Sequence, residues 1–490
     1  MTSARKAIVF SFIDRYLGLF VTIATSIVLA RLLTPKEIGV FSVTVVLLGI
    51  VSSIRDMGAG QYIVREPNLT EDGIRATRTL QLGIGVGLAV LAIAFANPVA
   101  KFYNEPEIEP IMWVLACNFI VTPLGAVMVA LWTRKLKFEK IALMRLFGAF
   151  VGAIVGISLA LRGFGSISLA WSALATQLSG VILANYMWKG EISLLPGLRE
   201  LKRVFGFGSK VSLYSIISSI TTGTPEMILG RLQGMTQTGF LSRGQGLVAM
   251  FDRLVMDAIG AVIFPIFSKT LREGGDLGAA FVKCLGLITA IGWCFFSVLA
   301  ITAFPVMRIL YGDQWDNAIE LTQILSLAAA IGIAIRLTAS ILIINGSMAL
   351  TLKLAVVSAV LTIIGSLVGC SYGLEGLGWA LVVVNVVNTV MWLSAAYMEL
   401  QYSVTELASL TLKNITLAVA SSLSFMSVYI FAGFEGGLGD LRYLVPCGII
   451  SVALFTITAK GMNHPIYAEI DTVINTCTGF LRGLPGPSNK

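Results

Sequence analysis

Ten ionisable side chains interrupt long apolar stretches of this 490-residue sequence, and they are its strongest candidates for chemistry. They comprise five arginines and five carboxylates: Arg15, Arg55, Arg243, Arg253 and Arg336, with Asp14, Asp56, Glu226, Asp252 and Asp257. An ionised group inside a bilayer is costly unless it faces water or a protein-lined interior, so such residues are functional candidates. Guanidinium groups bind phosphate oxygens through paired hydrogen bonds, and the first hypothesis is therefore a cavity that binds an anion.

Four of these arginines share a similar depth in the membrane. With a rise of 1.5 Å per residue from the cytoplasmic end of each predicted span, they lie roughly 12–21 Å deep. The four are Arg15, Arg55, Arg253 and Arg336. Because both halves of the chain contribute to the set, we expect the four side chains to face one central cavity and to bind an anionic headgroup. Arg31 and Arg231, at the outer ends of their spans, are further candidates for substrate binding, and they would also reach the interface by snorkelling.

Ion pairing within the protein is the alternative interpretation of these charges. Arg253 and Asp257 have the i,i+4 spacing of an intrahelical ion pair. A near balance of arginines and carboxylates in the spans leaves both interpretations open, since each arginine has a potential acidic partner in the chain.

Glu226 is a candidate for ion coupling, because it follows Gly223-Thr224-Pro225. A proline at this position should break the helix and free backbone carbonyl groups. A carboxylate beside unwound backbone can bind a proton or Na⁺. Asp56 and Asp257 are further candidates for this role, and the alternative for Glu226 is an ion-paired residue at a helix kink. No other cofactor is expected.

The composition excludes a soluble protein. Hydrophobic residues make up 56% of the chain and charged residues 13%, with a mean hydropathy of +0.86, whereas soluble domains are about 25% charged. The six cysteines are scattered and lack a C-x-x-C pair, and His464 is the single histidine, so neither a disulfide framework nor a histidine-based metal site is expected.

The apolar runs predict an all-α polytopic membrane protein of about fourteen transmembrane helices. The predicted spans are 7–33, 38–64, 79–100, 111–132, 141–161, 167–188, 208–230, 239–267, 280–306, 319–344, 354–373, 375–398, 412–433 and 442–461. They form two six-helix lobes and two extra C-terminal helices. The predicted divisions are an N-terminal lobe (1–188), a basic cytoplasmic linker (189–207), a C-terminal lobe (208–398), the extra spans (399–461) and a cytoplasmic tail (462–490).

The loop charges predict the orientation of these spans. With a cytoplasmic N-terminus, the inner segments hold 21 basic residues and the outer loops hold 4, namely Lys36, Lys101, Arg162 and Arg231. Basic loops stay on the cytoplasmic side, which places both termini inside the cell. The net charge of +8 therefore reflects membrane topology and weak attraction to lipid headgroups, and no nucleic-acid partner is expected.

A faint repeat relates the two lobes at an offset of 200 residues. Leu29-Ala30-Arg31-Leu32 matches Leu229-Gly230-Arg231-Leu232, Gly39 matches Gly239, and Ser42 matches Ser242. Both copies start on the same side of the membrane, so the repeat is parallel. Two facing lobes related in this way are a common design for transporters that open to either side.

One segment resembles a known family of transporters. The stretch from Leu29 to Phe41, LARLLTPKEIGVF, is followed by Arg55-Asp56-Met57-Gly58-Ala59-Gly60 and by Arg65-Glu66. It resembles the polysaccharide transporters, the Wzx-type oligosaccharide flippases, of the multidrug/oligosaccharidyl-lipid/polysaccharide exporter superfamily.

This resemblance implies a function in the bacterial inner membrane. The expected substrate is an undecaprenyl-diphosphate-linked oligosaccharide for exopolysaccharide or O-antigen synthesis, moved from the cytoplasmic to the periplasmic leaflet by alternating access. The resemblance also implies a basic cavity, a Na⁺ or H⁺ gradient as the drive, and a polysaccharide polymerase as a partner.

Two other functions are alternatives to this one. A cation-coupled drug antiporter of the same superfamily would favour an acidic site with little arginine. A membrane-embedded polysaccharide polymerase or ligase would need a large outer loop with catalytic side chains, and the outer loops here span about ten residues or fewer. The chain also lacks G-x-x-x-x-G-K-[ST], G-x-S-x-G and H-E-x-x-H, so no enzyme activity is expected.

Overall fold

A computed structural model describes the backbone of residues 3–55, 62–64, 66, 68–188, 197, 200–256, 267 and 270–471. Side chains are described within the same ranges except at 3–16, 54 and 202–212. The elements within these ranges are helices joined by short turns, which confirms the all-α prediction.

The described residues define fourteen long α-helices. They are α1 (Ser3–Leu32), α2 (Pro35–Arg55), α3 (Glu71–Tyr103), α4 (Ile108–Arg134), α5 (Phe138–Leu161), α6 (Ile167–Met187), α7 (Leu201–Leu232), α8 (Met235–Phe251), α9 (Leu277–Tyr311), α10 (Ile319–Ile344), α11 (Met348–Cys370), α12 (Gly373–Leu400), α13 (Val404–Phe431) and α14 (Leu441–Gly461). A π-helical turn, Asp252–Met256, continues α8, and short 3₁₀ turns precede α10 and α14.

Eleven helical segments in the described part of the chain are long and apolar enough to cross a membrane. The protein is therefore a multi-pass membrane protein, as predicted, but the number of fourteen spans is not confirmed. The three differences lie at α1, α7 and α8. Within α1 only Leu17–Leu32 forms a described apolar segment, and α8 has 17 residues before the π-helical turn begins.

The segment at 34–37 determines where α2 begins. The Thr34 hydroxyl accepts a hydrogen bond from the Glu37 backbone N–H at 3.3 Å, and the Thr34 backbone N–H donates to Glu37 Oε2 at 2.7 Å. This reciprocal arrangement is a capping box, and Pro35 occupies the first helical position, where its missing N–H costs nothing. The Leu-Thr-Pro-Lys-Glu stretch of the sequence is thus a helix-start signal.

Two compact units make up the chain, each with its own core. Unit 1 comprises residues 1–242 and 355–374, and unit 2 comprises residues 243–354 and 375–490. Val40, Ile111 and Phe119 are among the buried residues of unit 1. The core of unit 2 includes Phe281 and Leu337. The predicted lobes rest on topology and on the sequence repeat rather than on contacts, and they stay a prediction.

Helices α5 and α6 pack closely in unit 1 because three glycines form a stripe on α5. A Cβ atom added to Gly148 or Gly152 would overlap Thr176, and one added to Gly156 would lie 2.8 Å from Ser172. Small residues at this spacing let helix backbones approach.

Candidate functional site

Glu226 is a buried carboxylate in unit 1, with 7% of the residue exposed. It lies in the last part of α7, directly after Pro225. The expected break in the helix is absent: α7 continues from Leu201 to Leu232 with the proline inside it. A proline still lacks the N–H that would bond to the carbonyl of residue 221, so one carbonyl of the helix loses its helical donor without unwinding of the chain.

A short chain of hydroxyl groups connects Glu226 to the next helices. The Ser42 hydroxyl on α2 is hydrogen-bonded to Glu226 Oε2, and the Ser42 and Ser242 hydroxyl oxygens are 2.9 Å apart. A serine hydroxyl has one proton to donate. An ionised Glu226 therefore requires Ser42 to donate to the carboxylate and Ser242 to donate to Ser42, and a protonated Glu226 permits the reverse direction.

Residues that match at the offset of 200 contact one another reciprocally in unit 1. A Cβ atom added to Gly39 would overlap the carbonyl of Met235, and one added to Gly239 would overlap the carbonyl of Pro35. Each glycine thus contacts the residue that corresponds to the other's contact. Such an isologous pattern is what a local two-fold axis produces. The crossing of α2 and the start of α8 therefore supports the parallel repeat.

Arg31 and Arg231 lie apart from Arg55 within unit 1. Arg31 is exposed in the last turn of α1, and Arg231 is exposed in the last turn of α7, where its guanidinium lies 5.2 Å from the centre of the Phe102 ring. Both positions suit a cation near a helix C-terminus. Gly230 contacts Val43 of α2, and Arg55 follows Val43 by 12 residues, or about 18 Å along the helix.

Arg55 closes the opposite end of α2. Its side chain is half-buried, and the guanidinium lies 5.9 Å from the centre of the Phe119 ring on α4. This distance permits a cation–π interaction between the Arg55 guanidinium and the Phe119 ring.

Unit 2 holds the other described arginines of the predicted set. Arg336 lies in the middle of α10, and 60% of its side chain is exposed. Its Nη2 atom is 3.0 Å from Oδ2 of Asp252, the first residue of the π-helical turn. Arg253, the next residue of that turn, is exposed.

The pair of Arg336 and Asp252 lines a cavity of about 150 Å³ in unit 2. Its other lining residues come from α8, the π-helical turn, α9, α10 and α12, and Asn385 is the polar one among them. The cavity therefore combines one guanidinium, one carboxylate and one amide with an apolar wall. Polar groups of this kind, set in an apolar wall, are typical of sites that bind a small or extended ligand.

Three predicted site residues lie outside the described side chains. They are Arg15, Asp56 and Asp257. The structure also changes the basis for the proposed pairing of Arg253 with Asp257, because Arg253 lies in a π-helical turn and the i,i+4 spacing applies to an α-helix. A single cavity lined by Arg15, Arg55, Arg253 and Arg336 stays a prediction. Within the described part of the chain, no three metal-ligating side chains form a cluster.

The sequence did not reveal which groups surround three residues of the candidate sites, namely Ser42, Ser242 and Asn385. The repeat singled out Ser42 and Ser242, yet nothing in the sequence indicated that their hydroxyl groups lie beside Glu226. Asn385 is uncharged and was therefore not among the ionisable candidates, and only the packing of α12 against α10 places it beside Gly332.

Comparison with known sequences gives a consistent result. The family model described as "Polysaccharide biosynthesis protein" matches residues 28–320. The succinoglycan biosynthesis transport protein ExoT of Rhizobium meliloti is 25% identical over 64% of this chain and 63% of its own length. The lipopolysaccharide biosynthesis protein WzxC of Escherichia coli is 22% identical over 74% of this chain and 75% of its own. The chain thus spans somewhat less than two thirds of the first relative.

Solved structures show the same fold. The lipid II flippase MurJ in an inward closed conformation aligns with a TM-score of 0.71 and 11% identity, over 93% of this chain and 99% of that one. An inward-facing multidrug resistance transporter of the MATE family aligns with a TM-score of 0.60 and 15% identity, over 83% of this chain and 99% of that one. The chain therefore shares its fold with these two proteins.

Proposed function

The chain belongs to the polysaccharide biosynthesis protein family, and from this premise we propose that it is a flippase for undecaprenyl-diphosphate-linked oligosaccharide repeat units. It moves them from the cytoplasmic to the periplasmic leaflet of a bacterial inner membrane for exopolysaccharide or O-antigen synthesis. The names of the relatives, a succinoglycan transport protein and a lipopolysaccharide biosynthesis protein, support this substrate class. The resemblance predicted from residues 29–66 is confirmed by the family match.

The observation that carries the proposal is the exposed Arg336 side chain deep within an apolar helix. Arg336 is eight residues from the end of α10, which corresponds to about 12 Å of bilayer. A guanidinium exposed to lipid tails at this depth would be strongly unfavourable, whereas one exposed to an aqueous cavity is not. A basic group in such a cavity suits the diphosphate of the headgroup, and Arg55 and Arg253 serve the same substrate.

The charge of the headgroup also favours outward movement. A diphosphodiester carries about two negative charges, and the cell interior is negative. Each elementary charge gains about 2.3 kcal/mol per 100 mV on moving outward, or roughly 4–5 kcal/mol for the pair. The lipid tail stays in the bilayer while the head crosses the cavity between inward-open and outward-open states.

A cation gradient drives the return of the empty transporter in this proposal. Glu226 is the candidate for binding a proton or Na⁺, because it is buried and is linked to two hydroxyl groups whose direction of donation depends on its protonation. Asp56 and Asp257 are candidates from the sequence alone. Both termini face the cytoplasm, following the distribution of basic loops, and a polysaccharide polymerase uses the exported units.

Deletion of the gene tests this function directly. We expect the lipid-linked oligosaccharide to accumulate on the cytoplasmic leaflet and wild-type expression to restore glycan export. Accumulation on the outer leaflet would contradict the proposal and favour a polymerase or ligase. Loss of drug resistance with normal glycan export would favour a drug antiporter.

A further inference from the structure

The ion pair between Asp252 and Arg336 is loosely held. It rests on a single ionic contact, from Nη2 to Oδ2 at 3.0 Å, and 37% of the Asp252 side chain and 60% of the Arg336 side chain are exposed. An exposed pair of this kind contributes little to stability. Stability therefore does not explain why this ion pair lies inside an apolar helix bundle.

A second ion pair in unit 2, between Arg308 and Asp316, holds its arginine through two hydrogen bonds. Arg308 donates from Nε to Oδ1 of Asp316 at 2.9 Å and from Nη2 to Oδ2 at 2.5 Å, so both edges of the carboxylate are used. Phe304 also lies against this guanidinium, 4.7 Å from ring centre to Cζ. Arg308 is thus committed to a structural role, whereas the Arg336 guanidinium, which has five N–H groups, meets Asp252 at one N–O contact of 3.0 Å.

Arg336 also lines the cavity of about 150 Å³. Its other N–H donors therefore belong to a cavity-lining side chain. Asn385 lines the same cavity, and its amide nitrogen donates to the Leu381 carbonyl at 2.9 Å. Its Oδ1 atom lies so close to Gly332 that a Cβ atom there would overlap it. A glycine at 332 therefore leaves room for the amide that lines this cavity.

The backbone at Asp252 is itself unusual. Asp252 begins the π-helical turn that ends at Met256. Single π-helical turns are rare, are less favourable than continuous α-helix, and occur frequently at functional sites. Here the turn carries the carboxylate that neutralises Arg336.

We infer that Asp252 is an internal competitor for the substrate anion, occupying Arg336 until a phosphate of the headgroup displaces it. A phosphate group can take two donors of the guanidinium at once, whereas the Asp252 carboxylate meets the guanidinium at one N–O contact. The displaced carboxylate is partly exposed already and becomes hydrated. Asp252 is thereby a specificity-determining residue: weakly bound anions fail to displace it. This inference rests on the proposed function, because it assigns the diphosphate of that substrate to Arg336.

Binding of farnesyl diphosphate to the purified full-length protein in nanodiscs provides the test. We expect Asp252→Asn to tighten the Kd by about twofold to fivefold, because it removes a competitor of the strength typical of exposed ion pairs. We expect Arg336→Gln to weaken binding, and the double variant to bind no more tightly than Arg336→Gln alone. Asp316→Asn, in the firmly held pair, is the matched control and should leave the Kd unchanged.

The outcomes separate this inference from the proposed function. If the wild-type protein binds farnesyl diphosphate no better than farnesol, the proposed substrate class and the inference both fail. If the wild type prefers the diphosphate but Asp252→Asn binds equally or more weakly, only the inference fails. Asp252→Ser serves as the second variant should Asp252→Asn fail to fold, and the same tightening is expected.

Discussion

Arg336 and Arg442 are a pair of arginines with nearly equal exposure and different positions. Their side chains are 60% and 61% exposed, but Arg336 lies in the middle of α10 and Arg442 lies in the first turn of α14. In a strain that lacks the gene, we expect expression of Arg336→Gln to restore at least tenfold less glycan export than expression of the wild type, because the substitution removes a phosphate-binding group. Expression of Arg442→Gln in the same strain should restore export to the wild-type level.

The protein level of each variant in the membrane fraction is the control for that comparison. Equal export by Arg336→Gln and wild type at equal levels would remove Arg336 from the binding site. Arg336→Lys should recover part of the activity, since it keeps the charge but loses paired hydrogen bonding.

Glu226 gives a second prediction at the scale of the residue. Glu226→Gln keeps an amide oxygen that can accept a hydrogen bond from Ser42 but removes the carboxylate that can bind and release a proton or Na⁺. We expect export to continue weakly and to lose its dependence on the imposed ion gradient, measured in vesicles with and without an ionophore. Full gradient dependence in Glu226→Gln would eliminate this residue as the coupling group.

His464, just beyond α14, predicts a pH effect outside the membrane. Its Nδ1 atom accepts a hydrogen bond from the Ile466 backbone N–H at 3.1 Å, and 3% of the residue is exposed. Burial, reinforced by the Lys413 charge, lowers its pKa below 6.5. Because the folded-state pKa is lowered, this histidine contributes stability that is present above the unfolded pKa and is lost as pH falls through the folded pKa.

The helical segment at 465–471 is therefore expected to loosen between pH 7.5 and 5.5. Hydrogen-exchange protection factors, which correct for intrinsic exchange rates, should fall in this segment at the lower pH. The variant His464→Gln should show little change over the same range. Equal protection of the wild-type segment at both pH values would show that His464 does not titrate there.

At the scale of the element, the crossing of α2 and α8 depends on Gly39 and Gly239. An alanine at Gly39 would place its Cβ on the Met235 carbonyl, and a backbone atom cannot move aside as a side chain can. Overpacking of this kind costs about 1–3 kcal/mol. We expect Gly39→Ala to lower thermal stability and export, and Gly239→Ala to act similarly because the contact is reciprocal.

Gly49, on the same helix, has no atom within 4 Å of an added Cβ and provides the matched control. Gly49→Ala should retain wild-type stability, since alanine favours a helix over glycine. Identical melting temperatures for the Gly39 and Gly49 variants would contradict the close crossing.

The sequence predicted the positions of individual helices better than it predicted the exact number of membrane spans. The predicted gap between the spans 7–33 and 38–64 agrees with the start of α2 at Pro35, because capping and proline act within a few residues of the chain. The same local reasoning failed at Pro225, where α7 continues through the proline, because packing within the bundle can outweigh one lost hydrogen bond. It also gave no sign of the π-helical turn at Asp252–Met256.

For the whole molecule, hydropathy and the repeat predicted a two-part helical transporter, and the fold agrees with that of MurJ. Site residues were harder to predict, since a charge in a span identifies a candidate without revealing its partner. Arg336 and Asp252 are 84 positions apart and meet only through tertiary packing. Gly39 and Gly239, by contrast, make reciprocal contacts and were already matched by the sequence repeat.

The central claim is that arginines within the spans bind a diphosphate-linked glycolipid and pass it to the other leaflet. The most direct test reconstitutes the protein in liposomes with a labelled undecaprenyl-diphosphate oligosaccharide and measures its transfer by accessibility to an external glycosidase. We expect wild-type protein to accelerate transfer, and the triple variant Arg55→Gln, Arg253→Gln, Arg336→Gln to lose the acceleration while remaining folded. Transfer by the folded triple variant at the wild-type rate would contradict the account.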